Sequence, residues 1–254
     1  MRRRPAPPSR IARALGIGRS LAIYYGIPGR AGAMRRLYAP FVPAGGLCFD
    51  VGAHVGNRLR CFRALGARVV ALEPQPDFAR LLRRLYGHDD GVTLIEAAAG
   101  AAPGHATLLA SARTPTVSTL NPDWAARAAA TAGFAGVQWL PGPSVPVTTL
   151  DALIAAHGVP DFVKIDVEGF ESSVLAGLSQ PLPALSFEYL PALRDLAADC
   201  IGRLAALGDY RYRPAVGESS RLLGSDWLPP AAAQDWLDRL PADAGSGDLY
   251  ARRV

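Results

Sequence analysis

Lysine is almost missing from this chain. Of 27 basic residues in 254, only Lys164 is a lysine, and the rest are arginines. With so much Ala, Gly and Pro, that points to a GC-rich coding bias. The bias and the basic, Pro-rich leader MRRRPAPPSR (1–10) account for the net charge of +5, so no nucleic-acid partner is expected. Cysteine is scarce too. Cys48, Cys61 and Cys200 are odd in number and form no CxxC pair, which argues against a disulfide framework or a zinc site. A reducing, cytoplasmic setting follows. No apolar run reaches the roughly 18 residues a membrane helix needs, so no stable membrane insertion is expected. The leader is not followed by the apolar core of a secretory signal.

Half of the residues are hydrophobic, enough for a full globular core. The pattern divides the chain into a basic N-terminal extension (1–43) with one or two short helices, and a main domain (44–254). Gly16 and Gly18 interrupt the helical spacing of Ile11, Leu15, Leu21 and Tyr25. From Gly46 onward, strands and helices alternate, the signature of a parallel sheet covered on both faces. Strands are expected at 47–51, 68–73, 92–97, 162–167 and 184–189, and two more at 210–214 and 248–252. The helix at 76–86 carries an apolar stripe of Leu81, Leu82 and Leu85. The stretch 98–150 breaks the rhythm with a hairpin and a Thr/Ser-rich segment. Insertions of that length are usually functional, and together with the C-terminal third it is expected to build the substrate pocket.

Two stretches carry chemistry. The first is LCFDVGAHVGN (47–57): strand, glycine loop, helix start. Gly52 and Gly56 let a ligand approach the backbone, and the helix start offers free N–H groups. The spacing is G-x-x-x-G, not the dinucleotide G-x-G-x-x-G. Asp50 at the loop would repel a pyrophosphate but suits a cationic ligand. Glu73, ending the next strand, is placed to accept hydrogen bonds from ribose hydroxyls. Glu96 and Ala97 would lie near an adenine. These features favour S-adenosylmethionine over a nicotinamide dinucleotide. The cofactor-binding set is Asp50, Gly52, Ala53, Gly56, Asn57, Glu73, Pro74, Glu96, Ala97 and Asp166.

The second stretch is DFVKIDVEGFE (161–171). Strand alternation puts Val163, Ile165 and Val167 on one face and Lys164, Asp166 and Glu168 on the other. Three charges on a buried parallel strand are costly unless paired or functional. A Lys164–Asp166 ion pair would lock the strand, and it is compatible with Asp166 as a base. Asp166 is the expected catalytic base or orienting carboxylate, followed by Glu168 and His54. Glu188 on the next strand is a further acid for the substrate pocket. No third ligand of matching quality accompanies Asp166 and Glu168, so no metal is expected.

FDVGAHVGN (49–57), LEP (72–74), VTTLDAL (147–153), VKIDVEGFE (163–171) and the nearby LAGL resemble, in order and spacing, the FkbM-type S-adenosylmethionine-dependent methyltransferases. The resemblance covers about 46–189. It implies the class I methyltransferase fold: α/β, Rossmann-like, doubly wound, with a mostly parallel seven-stranded sheet and a C-terminal antiparallel hairpin. It also implies methyl transfer to a hydroxyl of a sugar or natural-product scaffold, a small-molecule acceptor. Two alternatives are a nicotinamide-dependent sugar oxidoreductase or epimerase, and a non-catalytic relative that binds a partner or membrane through its Arg-rich N-terminus.

Overall fold

The computed structural model describes residues 10–111, 114 and 117–254. The leader at 1–9 and the side chains of Ile11 and Leu15 lie outside the described residues. Seven strands form the main sheet: β1 (Leu47–Val51), β2 (Arg68–Leu72), β3 (Val92–Ile95), β7 (Phe162–Ile165), β8 (Ala184–Tyr189), β9 (Tyr210–Val216) and β10 (Gly247–Arg253). Their order is β3-β2-β1-β7-β8-β10-β9. The five from β3 to β8 pair in parallel, whereas β10 runs antiparallel to both β8 and β9. This is the expected class I methyltransferase sheet with its closing antiparallel pair. Winding reverses between β1 and β7, and a doubly wound sheet opens its ligand crevice at such a point, beyond the carboxyl ends of the strands.

Alternation along β1 shows how the two faces are filled. Leu47, Phe49 and Val51 join Val163, Ile165 and the buried residues of α6 (Leu150–His157), α7 (Glu171–Ala176), α8 (Arg194–Leu207) and α9 (Pro230–Asp238). Cys48 faces the other way, with Phe162, Leu59 and Phe62 of α3 (Asn57–Ala64) and Leu82 of α4 (Pro76–Tyr86). Met34, Leu37 and Tyr38 of α2 (Arg30–Tyr38) complete that second layer. All three cysteines are buried and unbridged. Among the described residues no helix is long and apolar enough to cross a membrane.

Several expectations need correction. Helix α1 (Arg10–Tyr25) runs straight through Gly16 and Gly18; glycine inside a helix costs only about 1 kcal/mol, which tertiary packing can offset. The buried stripe of α4 is Phe78, Ala79 and Leu82, because the helix is rotated so that Leu85 is exposed. Helix α9 had no counterpart in the sequence reading. Strand β7 stops at Ile165, so Asp166 and Glu168 lie beyond it, in a turn where Glu168 (φ 54°) and Gly169 (φ 83°) are left-handed.

The insertion builds its own small sheet, β4 (Ala98–Ala99), β5 (Gly104–Ala110) and β6 (Leu140–Thr148), in the order β4-β6-β5. Helix α5 (Pro122–Ala128) sits beside it, capped by the Asn121 side chain, which accepts from the Trp124 N–H at 3.0 Å.

Candidate active site

A cleft opens at the switch point. Its floor is Val51 and Gly52 at the end of β1, its walls are Glu73 to Gln75 after β2 and Ala97 to Ala99 after β3, and Asp166 to Glu168 close the β7 side. Gly52 takes φ 88°, and a Cβ there would strike the main-chain oxygen of Asp166. Only glycine lets these two loops meet.

Glu73 is 5% exposed and organises the loop. Its Oε2 accepts the His54 N–H at 2.7 Å, and its Oε1 accepts the Gln75 N–H at 2.8 Å. Burial raises its carboxyl to about 7, against the lowering pull of those two hydrogen bonds. His54 is left-handed (φ 49°), and its ring packs edge-on against Phe78 and Tyr24. Burial, with Arg58 nearby, lowers the imidazole to about 4, so it is neutral at pH 7. Its Nε2 and the Asn57 Nδ2 are buried without partners.

Lys164 is fully buried on β7. Its ammonium lies 2.9 Å from Asp248 and 3.3 Å from Asp166. Burial opposes the charge, but the two carboxylates outweigh it and hold the ammonium above the usual lysine range. The ion pair with Asp166 is therefore present, and Asp248 of β10 is a partner that the sequence did not suggest. Glu188, at the end of β8, brings a third carboxylate: oxygens of Asp166, Glu168 and Glu188 lie within 4.8 Å of one another. The reading that Asp166 and Glu168 have no third companion is thus corrected. Burial and the neighbouring acids push both Glu168 and Glu188 well above the carboxylate range.

The turn carrying Glu168 is braced from two sides. Glu171 Oε1 accepts from the N–H groups of Val167 (3.1 Å) and Gly169 (3.3 Å). Asn121 of the insertion donates to the Gly169 carbonyl at 2.7 Å. The insertion also lends Leu108, Ser118, Thr119 and Leu120 to the cleft wall. Nothing C-terminal to Phe170 lines the cleft, however; Tyr24 from α1 does.

Of the predicted residues, the cleft brings together Gly52, His54, Asn57, Glu73, Pro74, Ala97, Asp166 and Glu168. Four stand elsewhere. Asp50 is 1% exposed beneath the loop, and burial raises it to about 6 against the pull of Arg58 and Lys164. It does not line the cleft, so the argument that it repels a pyrophosphate loses its geometric basis. Ala53 is buried behind the loop. Gly56 packs against Leu82 and Tyr86, where a Cβ would sit 2.8 Å and 3.0 Å from their side chains. Glu96 turns outward to pair with Arg83 of α4. The sequence reading missed Tyr24 and Arg58. Arg58 shares the inward face of α3 with Cys61 and Phe62, so a charge at helical spacing with buried residues was a usable signal. Tyr24 offered none.

Residues 50–192 match the family described as the methyltransferase FkbM domain. No curated protein matches the sequence significantly. Solved structures similar to the chain include a precorrin-6y C5,15-methyltransferase from Geobacter metallireducens, 13% identical with TM-score 0.46, covering 89% of this chain and 87% of that one. A TehB-like S-adenosylmethionine-dependent methyltransferase from Corynebacterium glutamicum is 10% identical with TM-score 0.49, covering 95% and 96%. Fibrillarin from Aeropyrum pernix, with natively bound S-adenosyl-L-methionine, is 12% identical with TM-score 0.46, covering 87% and 76%.

Proposed function

The chain belongs to the FkbM methyltransferase family, and from that premise we propose that it methylates a hydroxyl oxygen of a sugar or natural-product small molecule. Methyl transfer is the activity and S-adenosylmethionine is the donor; the oxygen acceptor and its chemical class are our reading. A cytoplasmic setting belongs to the same proposal. The nicotinamide alternative falls with the family assignment.

The cleft fits the donor. Gly52 presents main chain with no side chain in the way, Glu73 is an acid at the end of the second strand, and His54 Nε2 and Asn57 Nδ2 are buried polar atoms awaiting partners. Gly52, Asn57, Glu73 and Ala97 would hold it, with Glu73 on the ribose hydroxyls. When bound, it supplies an electrophilic methyl group on a sulfonium. The protein's tasks are then to align the acceptor and to remove its proton.

The observation carrying the oxygen reading is the carboxylate cluster at the sheet's edge. Asp166 lies beside a fixed ammonium and lines the cleft, so it would accept the hydroxyl proton. Glu168, its carboxyl raised by burial and by the neighbouring Asp166 and Glu171, would donate a hydrogen bond that orients a polyhydroxylated acceptor, with Glu188 behind it outside the cleft lining. The neutral His54 is a second contact for it. No metal is invoked, because the Lys164 ammonium already supplies positive charge at Asp166.

Calorimetry and turnover test this. Asp166→Asn should lower turnover by about a hundredfold or more with donor affinity nearly unchanged. Full activity in that variant removes Asp166 from the mechanism. Turnover that collapses on chelation and returns with Mg²⁺ would convert the three carboxylates into metal ligands and overturn the proton-sharing account.

A further inference from the structure

Beyond the cleft, a second cavity lies between α1, α2 and α3. Its wall holds three guanidinium groups, Arg30, Arg35 and Arg60, together with Tyr24, Tyr25 and Asn57, and no carboxylate among the described residues. The charges are not equivalent. Arg30 is spoken for, with its guanidinium 2.8 Å from Glu218 and 5.4 Å from the Tyr24 ring centre. Arg60 stacks 5.4 Å over Tyr25. Neither Arg35 nor Arg60 pairs with an acid among the described residues, and both reach solvent at the mouth. The interior also offers an unused donor. Arg30 Nε is buried and has no hydrogen-bond partner. A buried donor without a partner is unfavourable, and a ligand rich in acceptors would satisfy it.

We propose that this cavity is an anion site for the phosphate or diphosphate group of a small molecule. Two uncompensated guanidiniums match a charge near −2, and the arginine fork pairs two phosphate oxygens at once. A carboxylate brings two acceptor oxygens and one charge; a phosphate brings three and up to two, which suits a wall of donors approaching from several sides. Tyr24 and Asn57 belong to both this cavity and the cleft, so an anion bound here lies against the wall of the methylation site without entering it. The assignment does not depend on which atom is methylated.

Calorimetric titration of the full-length protein with pyrophosphate, with and without saturating S-adenosylmethionine, is the test. Saturable 1:1 binding is expected, with the same affinity in both conditions. Arg35→Ala with Arg60→Ala should weaken it about tenfold or more. Arg203→Ala with Arg239→Ala, removing equal charge from α8 and the residue just after α9, should leave it unchanged. Arg60→Gln alone serves as the milder variant and should give an intermediate loss; melting curves confirm that each variant is folded. Four outcomes each overturn the proposal: no saturable binding, binding indifferent to Arg35 and Arg60, equal weakening by the Arg203/Arg239 pair, or competition with S-adenosylmethionine. Failure to bind S-adenosylmethionine would count against the functional reading and leave the pyrophosphate result readable on its own.

Discussion

Asp50 shows what a buried acid does to a small fold. Both of its oxygens are shut away from water, and no side chain hydrogen-bonds to them. Burial lifts its carboxyl from the ordinary 3.8 to about 6. Below pH 4 it is protonated whether the chain is folded or not. Between there and pH 6 the unfolded chain releases a proton that the folded one keeps, so stability falls as pH rises and stays lower above that window. Asp50→Asn should therefore gain stability relative to the native chain between pH 4 and pH 7, by no more than about 3 kcal/mol. Urea melts at both pH values would check this, and a constant difference would place the charge of Asp50 elsewhere. The sequence marked Asp50 as important and misjudged its direction. A one-dimensional motif shows that an acid sits at the loop, but not whether its strand register points it up at a ligand or down at Arg58 and Lys164. Lys164 was legible for the opposite reason: a charge between Val163 and Ile165 conflicts with burial on both faces, and conflict is visible in sequence.

Among the elements, those of the parallel sheet were legible because their hydrophobic runs and their glycine or proline stops agree. Helix α4 was read to its last residue, Pro76–Tyr86, from its apolar spacing, although the stripe was placed on Leu81, Leu82 and Leu85. The turn at 166–170 was not, since its left-handed Glu168 and the support of Asn121 come from tertiary contacts. That support makes the insertion part of the frame that holds the Glu168 turn. Trp124 is 2% exposed, stacks edge-on with Phe134 and Trp139, and fills the space where Gly169 has no Cβ. Trp124→Ala should cost about 3–5 kcal/mol and should lower turnover beyond the loss of folded protein, because the Glu168 turn loses its wall. If specific activity per folded molecule stayed constant, the insertion would be a structural appendage only. Gly169→Ala should have the same effect through a clash with the Trp124 ring.

Across the whole molecule, one carboxylate joins three distant parts. Glu218, in the segment after β9, reaches Arg58 on α3 at 3.1 Å and Arg30 on α2 at 2.8 Å. Burial raises its carboxyl, but the two guanidiniums outweigh that and bring it below the ordinary value. The stability it contributes is thus present above the usual glutamate range and lost as pH falls through the lowered value. Glu218→Gln should lose on the order of 1–2 kcal/mol, limited because Glu218 is 42% exposed and partly screened. Amide hydrogen exchange should show faster opening of α1 and α2 at neutral pH, with the native chain approaching the variant in acid. Unchanged exchange would mean the helices are held by Met34, Leu37 and Tyr38 alone. The scarcity of lysine has a practical outcome of its own. A lysine-specific protease finds one scissile bond in the entire polypeptide, Lys164–Ile165, inside the central strand β7. Cutting there requires that strand to leave the sheet, so the rate of a single cleavage into two fragments reports the opening of the whole fold. Any ligand that grips the strand's edge should slow that clock in proportion to its occupancy.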